Sequence, residues 1–141
     1  MKIQKIIMMI EFFHTVHYVV YRFYRKHKQD IDVSMFYACA IHCILSFFLI
    51  MEADYFLCLL LDLPHHLNKP IALAYVMVWA ILEYKIFFRN KRYKELFDEY
   101  DRQSDTPAMK EKLRNAKIFN FSLLAVDIIL LFLLDYCNHH K

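Results

Sequence analysis

Residues 118–136 read IFNFSLLAVDIILLFLLDY, nineteen positions without a Lys or Arg and with two acids, Asp127 at the centre and Asp135 at the end. That length matches the ~20 residues a helix needs to cross ~30 Å of hydrocarbon. Working outward, the chain holds three more apolar runs of similar length, at residues 3–21, 33–51 and 71–88. The expected fold is therefore all-α: an integral membrane helical bundle of four transmembrane helices, built as a single domain over residues 1–141.

Composition supports that reading. Of the 141 residues, 59% are hydrophobic and 17% aromatic, and the mean hydropathy is positive at +0.24. Glycine is absent. Without it no position has cheap access to positive φ, which disfavours phosphate-cradling loops and type I′ hairpins and favours a chain that is helical almost throughout. Close helix packing must then come from Ala, Ser and Cys and from interdigitating aromatics. The three prolines, Pro64, Pro70 and Pro107, fall outside the apolar runs and punctuate turns.

The first run differs from the others. Glu11, His14, Tyr18, Tyr21 and Arg25 recur at helical spacing opposite Ile6, Ile10, Phe13 and Val20. An amphipathic helix lying in the interface is the alternative to a span there. Orientation follows from the cations, because fourteen of the eighteen Lys and Arg fall in segments 22–32 and 85–117. The positive-inside bias puts segments 22–32 and 89–117 in the cytoplasm.

Residues 89–116 form the one sizeable part outside the runs. Tyr93, Leu96, Phe97 and Tyr100 repeat at i, i+3, i+4 and i+7, the spacing of one helix face. Ser104 to Pro107 reads as a turn in which Thr106 caps a new helix and Pro107 takes its first position. The expectation is a cytoplasmic helical hairpin that continues straight out of the third run and protrudes about 20–25 Å. Arg89, Lys91, Arg92 and Lys94 make a basic juxtamembrane patch suited to anionic head groups or a soluble anion.

Ionisable residues inside a bilayer cost about 2.5–3.5 kcal/mol each on insertion scales, so they face the bundle interior or mark a pathway. Counted from the run centres, Asp127 and His42 lie at mid-depth, Glu11 and His14 join them if the first run spans, and Glu83 sits about one turn away. A midplane polar layer of Asp127, His42, Glu11, His14 and Glu83 is expected, as helix–helix glue or as a proton or cation path. Glu52 and Asp54 read as interface markers, with the apolar stretch behind them lengthening the second helix or lying along the surface.

Metal binding is a lesser expectation. Cys39, His42 and Cys43 share a helix face but supply three ligands of a tetrahedral set. His65 and His66 with His139 and His140 form a second candidate on the opposite side, where a Cys58–Cys137 disulfide is also conceivable. No cofactor is implied. Phosphate loops, metalloprotease pairs and nucleophile elbows are missing, so an enzyme is not expected, and no basic fold suited to nucleic acid is present.

The stretch Tyr21-Arg22-Phe23-Tyr24-Arg25-Lys26 before the second run, with a Lys-rich segment before the last, resembles small multi-pass proteins of bacterial inner membranes. The likeness covers the whole length through unspecific motifs and carries no activity or site residue over. It implies that location and the bilayer as partner, with a homo-oligomer or another membrane or cytoplasmic protein beside it. The function expected is interaction or assembly within a membrane complex. The alternative is an oligomeric pore or proton- or cation-conducting protein, in the manner of membrane-disrupting effectors.

Overall fold

A computed structural model describes residues 1–64 and 68–140. The described chain is all-helical: α1 (Lys2–Lys26), α2 (Ile31–Leu61), α3 (Lys69–Glu83), α4 (Arg92–Gln103) and α5 (Pro107–His139), with a π turn over Tyr84–Phe88 and a 3-10 turn over Arg89–Lys91 between α3 and α4. Three stretches are long and apolar enough to cross a membrane: Ile31–Leu61, Lys69–Gln103 and Pro107–His139, with mean hydropathies of 2.1, 1.8 and 2.2 over their best windows. The apolar stretch after Glu52 and Asp54 lengthens α2 to 31 residues. The outer faces of α3 and α5 stay bare, with Leu73, Met77, Phe121 and Phe132 all more than half exposed.

α1 is not among those three, and its placement shows why it reads differently. Glu11 pairs with Lys112, Phe12 packs edge-on against Phe119 at 5.3 Å, and the Val16 carbonyl accepts from Asn120. Further along α1, Arg22 and Lys26 border a crevice shared with Leu113, Lys117 and Leu124. α1 thus packs on the half of α5 nearest its start, from Met109 and Leu113 to Asn120.

Helix ends follow local chemistry despite the lack of glycine. Lys28 after α1 and Asp62 after α2 take left-handed conformations, at φ of 63° and 54°. Gln29 N–H then reaches back to the Tyr24 carbonyl and Leu63 N–H to Cys58, which satisfies last-turn carbonyls as a Schellman closure does. Thr106 accepts from Met109 N–H and Pro107 follows it, as the turn predicts.

The segment after α3 departs from a straight helix. Asn90 and Lys91 both adopt positive φ, 57° and 54°, and the backbone turns sharply there. α4 is thereby folded back onto α1, where Tyr93, Phe97 and Tyr100 are buried and Leu96 half-buried. Phe97 meets Tyr21 at 4.7 Å, Tyr18 at 5.2 Å and Phe87 at 6.1 Å, with Met109 and Leu113 of α5 completing the cluster. The expected apolar face is real, but it is spent on the bundle, since an amphipathic 12-residue helix is marginal until that face is covered.

Candidate functional site

Each main helix except α4 contributes to one buried polar layer. His17 of α1 is fully buried, and its Nε2 lies 3.0 Å from Glu83 Oε1 at the end of α3. The His17 ring also lies 4.2 Å from that of His42 on α2. His42 Nε2 is 2.8 Å from Asn120 Oδ1 on α5, and Asn120 Nδ2 donates to the Val16 carbonyl at 3.2 Å. Cys39, one turn before His42, turns its thiol toward Glu83. Ser46 continues the line, receiving a hydrogen bond from the Tyr75 hydroxyl at 2.9 Å.

Donor counting constrains the protons. Nδ1 of His17 lies 2.9 Å from the Phe13 carbonyl, and Nδ1 of His42 lies 2.7 Å from the Ala38 carbonyl. A carbonyl only accepts, so both Nδ1 atoms carry a hydrogen. His42 then faces a second acceptor in Asn120 Oδ1. A neutral imidazole has one hydrogen too few for that chain of bonds. The layer therefore either holds an imidazolium at His42, balanced by the Glu83 carboxylate, or turns the Asn120 amide and forfeits the bond to Val16. His17 and Glu83 share one further proton between Nε2 and Oε1. That proton can shift between His17 and Glu83 without moving a helix.

The five residues expected in a single layer are distributed over three places. His42 and Glu83 meet here, joined by His17 and Asn120. Asp127 is buried lower down α5 and faces Glu52 of α2, which is turned inward and does not mark an interface. Both Asp127 oxygens and Glu52 Oε2 are buried without a hydrogen-bond partner among the described residues. Glu11 is half-exposed and pairs with Lys112, and His14 packs on Phe87 at 5.5 Å. The reason is register. α2 and α5 both start from the basic end, at Ile31 and Pro107, so His42 comes level with Asn120 and Glu52 with Asp127. Matching the centres of the apolar runs ignores the three polar turns that open α5.

His17 is the residue that sequence reasoning missed. It lies three positions beyond His14 and so on a neighbouring part of the same face, and the packing of α1 against α2 and α3 makes this histidine the inward one. Of the metal candidates, Cys39 is drawn toward His17 and Glu83, while both nitrogens of His42 are engaged and Cys43 is half-buried. His139 and His140 are exposed and bond the carbonyls of Asp135 and Tyr136, while His65 and His66 lie outside the described residues. The Cys58 thiol donates to the Pro64 carbonyl at 3.5 Å and is not joined to Cys137.

In the basic patch, Arg89, Lys91 and Arg92 are exposed, and Lys94 is engaged with Asp32 at 3.1 Å. The Tyr93 hydroxyl also donates to Asp32, and together with Lys94 it holds that carboxyl below the usual carboxylate range. This latch ties α4 to the first turn of α2.

Two crevices flank the layer. One of about 770 Å³ opens between α1, α2, α3 and α5 with His17 and His42 in its wall, and a second of about 580 Å³ lies between α1, α2 and α5 with Asn120 in its wall. The chain is thus an all-helical protein with three helices of membrane-crossing length around a buried histidine–carboxylate layer. No protein-family model matches it, and neither the curated proteins nor the solved structures include a match.

Proposed function

We propose that this chain is a multi-pass membrane protein that serves as an assembly component of a membrane complex, with segments 22–32 and 89–117 on the cytoplasmic side of a bacterial inner membrane. The observation that carries the proposal is the contrast between a polar layer that closes on itself across α1, α2, α3 and α5 and outer faces of α3 and α5 that remain apolar along their length. Interhelical hydrogen bonds fix helix positions within a bilayer, where apolar contact alone gives little preference for protein over lipid. The layer therefore makes a firm scaffold, and the bare faces of α3 and α5 are where neighbouring helices dock. Only α2, α3 and α5 need cross, with α1 braced over them.

Photo-crosslinking residues at Leu73 and Met77 on α3 and at Phe121 and Phe132 on α5, tested in native membranes, check this directly. Discrete protein adducts at one of these faces are expected, and lipid adducts alone at all four positions would refute assembly.

The second reading is proton or cation conduction, favoured by the Asp127–Glu52 pair. Two buried carboxylates that face one another without other partners cannot both be charged without a cation or a shared proton. Proton flux into liposomes, lost in a folded Asp127→Asn variant, supports this reading; equal flux in the two proteins, or none in either, sinks constitutive conduction through Asp127.

A further inference from the structure

We infer that His17, Cys39 and Glu83 form a binding site for one divalent transition-metal ion of the zinc type, buried in the bundle. The three side chains come from α1, α2 and α3, are each at most 6% exposed, and bring their ligand atoms within 4.8 Å of one another. Ligand bonds of about 2.0–2.3 Å put the donors of a tetrahedral site ~3.3–3.6 Å apart. His17 Nε2 and Glu83 Oε1 already lie at 3.0 Å, so closure asks only for an adjustment at Cys39 and a slight opening of that pair.

Charge selects the ion. A thiolate and a carboxylate bring two negative charges and the neutral imidazole of His17 brings none, so with His42 neutral and the Asn120 amide turned toward it, a dication makes the assembly neutral. Neutrality matters here because an uncompensated ion in a low-dielectric interior carries a large solvation cost. Monovalent ions would leave a net negative charge, and hard magnesium or calcium would refuse the sulfur.

The surroundings also suit a ligand histidine. The hydrogen on Nδ1 of His17 is fixed by the Phe13 carbonyl, which directs the Nε2 lone pair at the site and raises its basicity. His42 stacks beside it with both nitrogens already engaged, so it walls the site without completing it. Three protein ligands and one open position result, and of the three ligands His17 lines the larger crevice. Binding displaces the Cys39 proton and the proton shared by His17 and Glu83, so affinity rises with pH.

The test uses the full-length protein in nanodiscs, freed of metal, with Co²⁺ as a spectroscopic probe and Zn²⁺ measured by competition with a chromophoric chelator. The expected result is one ion per chain, a thiolate-to-cobalt charge-transfer band, and displacement of cobalt by zinc. Cys39→Ser should abolish the band and weaken zinc at least ~100-fold, and Glu83→Gln should weaken zinc comparably. Cys43→Ser and a His139→Ala/His140→Ala double variant should change neither quantity. Absence of the band in the wild type overturns the site even if a variant fails to fold, and a band kept in Cys43→Ser, Cys58→Ser and Cys137→Ser assigns it to Cys39. Cobalt bound without a thiolate band, a band that survives Cys39→Ser, or no binding to the wild type would each overturn the assignment.

Discussion

Replacing Phe97 with alanine tests whether α4 is held by its aromatic face. Phe97 is 1% exposed and lies within 4.7 to 6.2 Å of four rings, those of Tyr21, Tyr18, Phe87 and Tyr100. Truncating a buried phenylalanine costs about 3–5 kcal/mol, part of it from ring pairs worth ~0.5–1.5 kcal/mol each. α4 has 12 residues, too few to persist alone in water, so the loss falls on its docking. At 1.36 kcal/mol per decade, the opening equilibrium of α4 should rise by about two to three and a half decades. Amide hydrogen exchange in nanodiscs reads this directly: peptides covering 92–103 should lose that protection, while those covering 124–136 serve as the internal reference. Tyr84→Ala, at a residue 60% exposed, should leave α4 unchanged. Protection of 92–103 within threefold of wild type in a folded Phe97→Ala protein would refute the docked arrangement.

Two further outcomes follow from the same segment. Lys91→Gly should stabilise the protein by ~0.5–1 kcal/mol, because the left-handed backbone at φ 54° costs a non-glycine residue ~1–2 kcal/mol and glycine returns part of that as lost chain entropy; a lower thermal midpoint would contradict the turn geometry. Asp32 should titrate below the other exposed aspartates, and its lowered folded pKa means that the latch is fully present above the ordinary carboxylate pKa of about 4 and is lost as pH falls through the folded value. A carboxyl carbon shift that titrates normally by NMR, or identically in Tyr93→Phe, would dismiss the latch.

Much of this architecture can be read from patterning alone. Long apolar runs declare α2, α3 and α5, the i, i+3, i+4, i+7 aromatics declare the buried face of α4, and Thr106-Pro107 declares the start of α5. What the pattern lacks is direction at a break and register between helices. Asn90 favours the left-handed region but Lys91 after it does not, so the fold-back of α4 is set chiefly by the burial it gains. The site was legible in its types, since His42 and Glu83 stand out as polar groups in apolar runs. Its membership was not, because hydropathy locates a run in the bilayer only to within a few residues, whereas a hydrogen bond between His42 and Asn120 requires the register within one. His17 stayed hidden for the same reason, as the packing of α1 against α2 and α3 selects it over His14.

α1 lies far along the chain from its partners on α5. Its bond from Asn120 to Val16 spans 104 residues of sequence and its Glu11–Lys112 pair spans 101. At synthesis rates of about 5–20 residues per second, the polar side of α1 waits on the order of 5–20 s before its anchoring residues on α5 leave the ribosome. During that interval Glu11 and the Val16 carbonyl have to be sheltered by the interface or a waiting neighbour. The partners of α1 thus set an order of events: His17 can meet His42 and then Glu83 as α2 and α3 arrive, and the contacts to α5 close only with the last helix of membrane-crossing length.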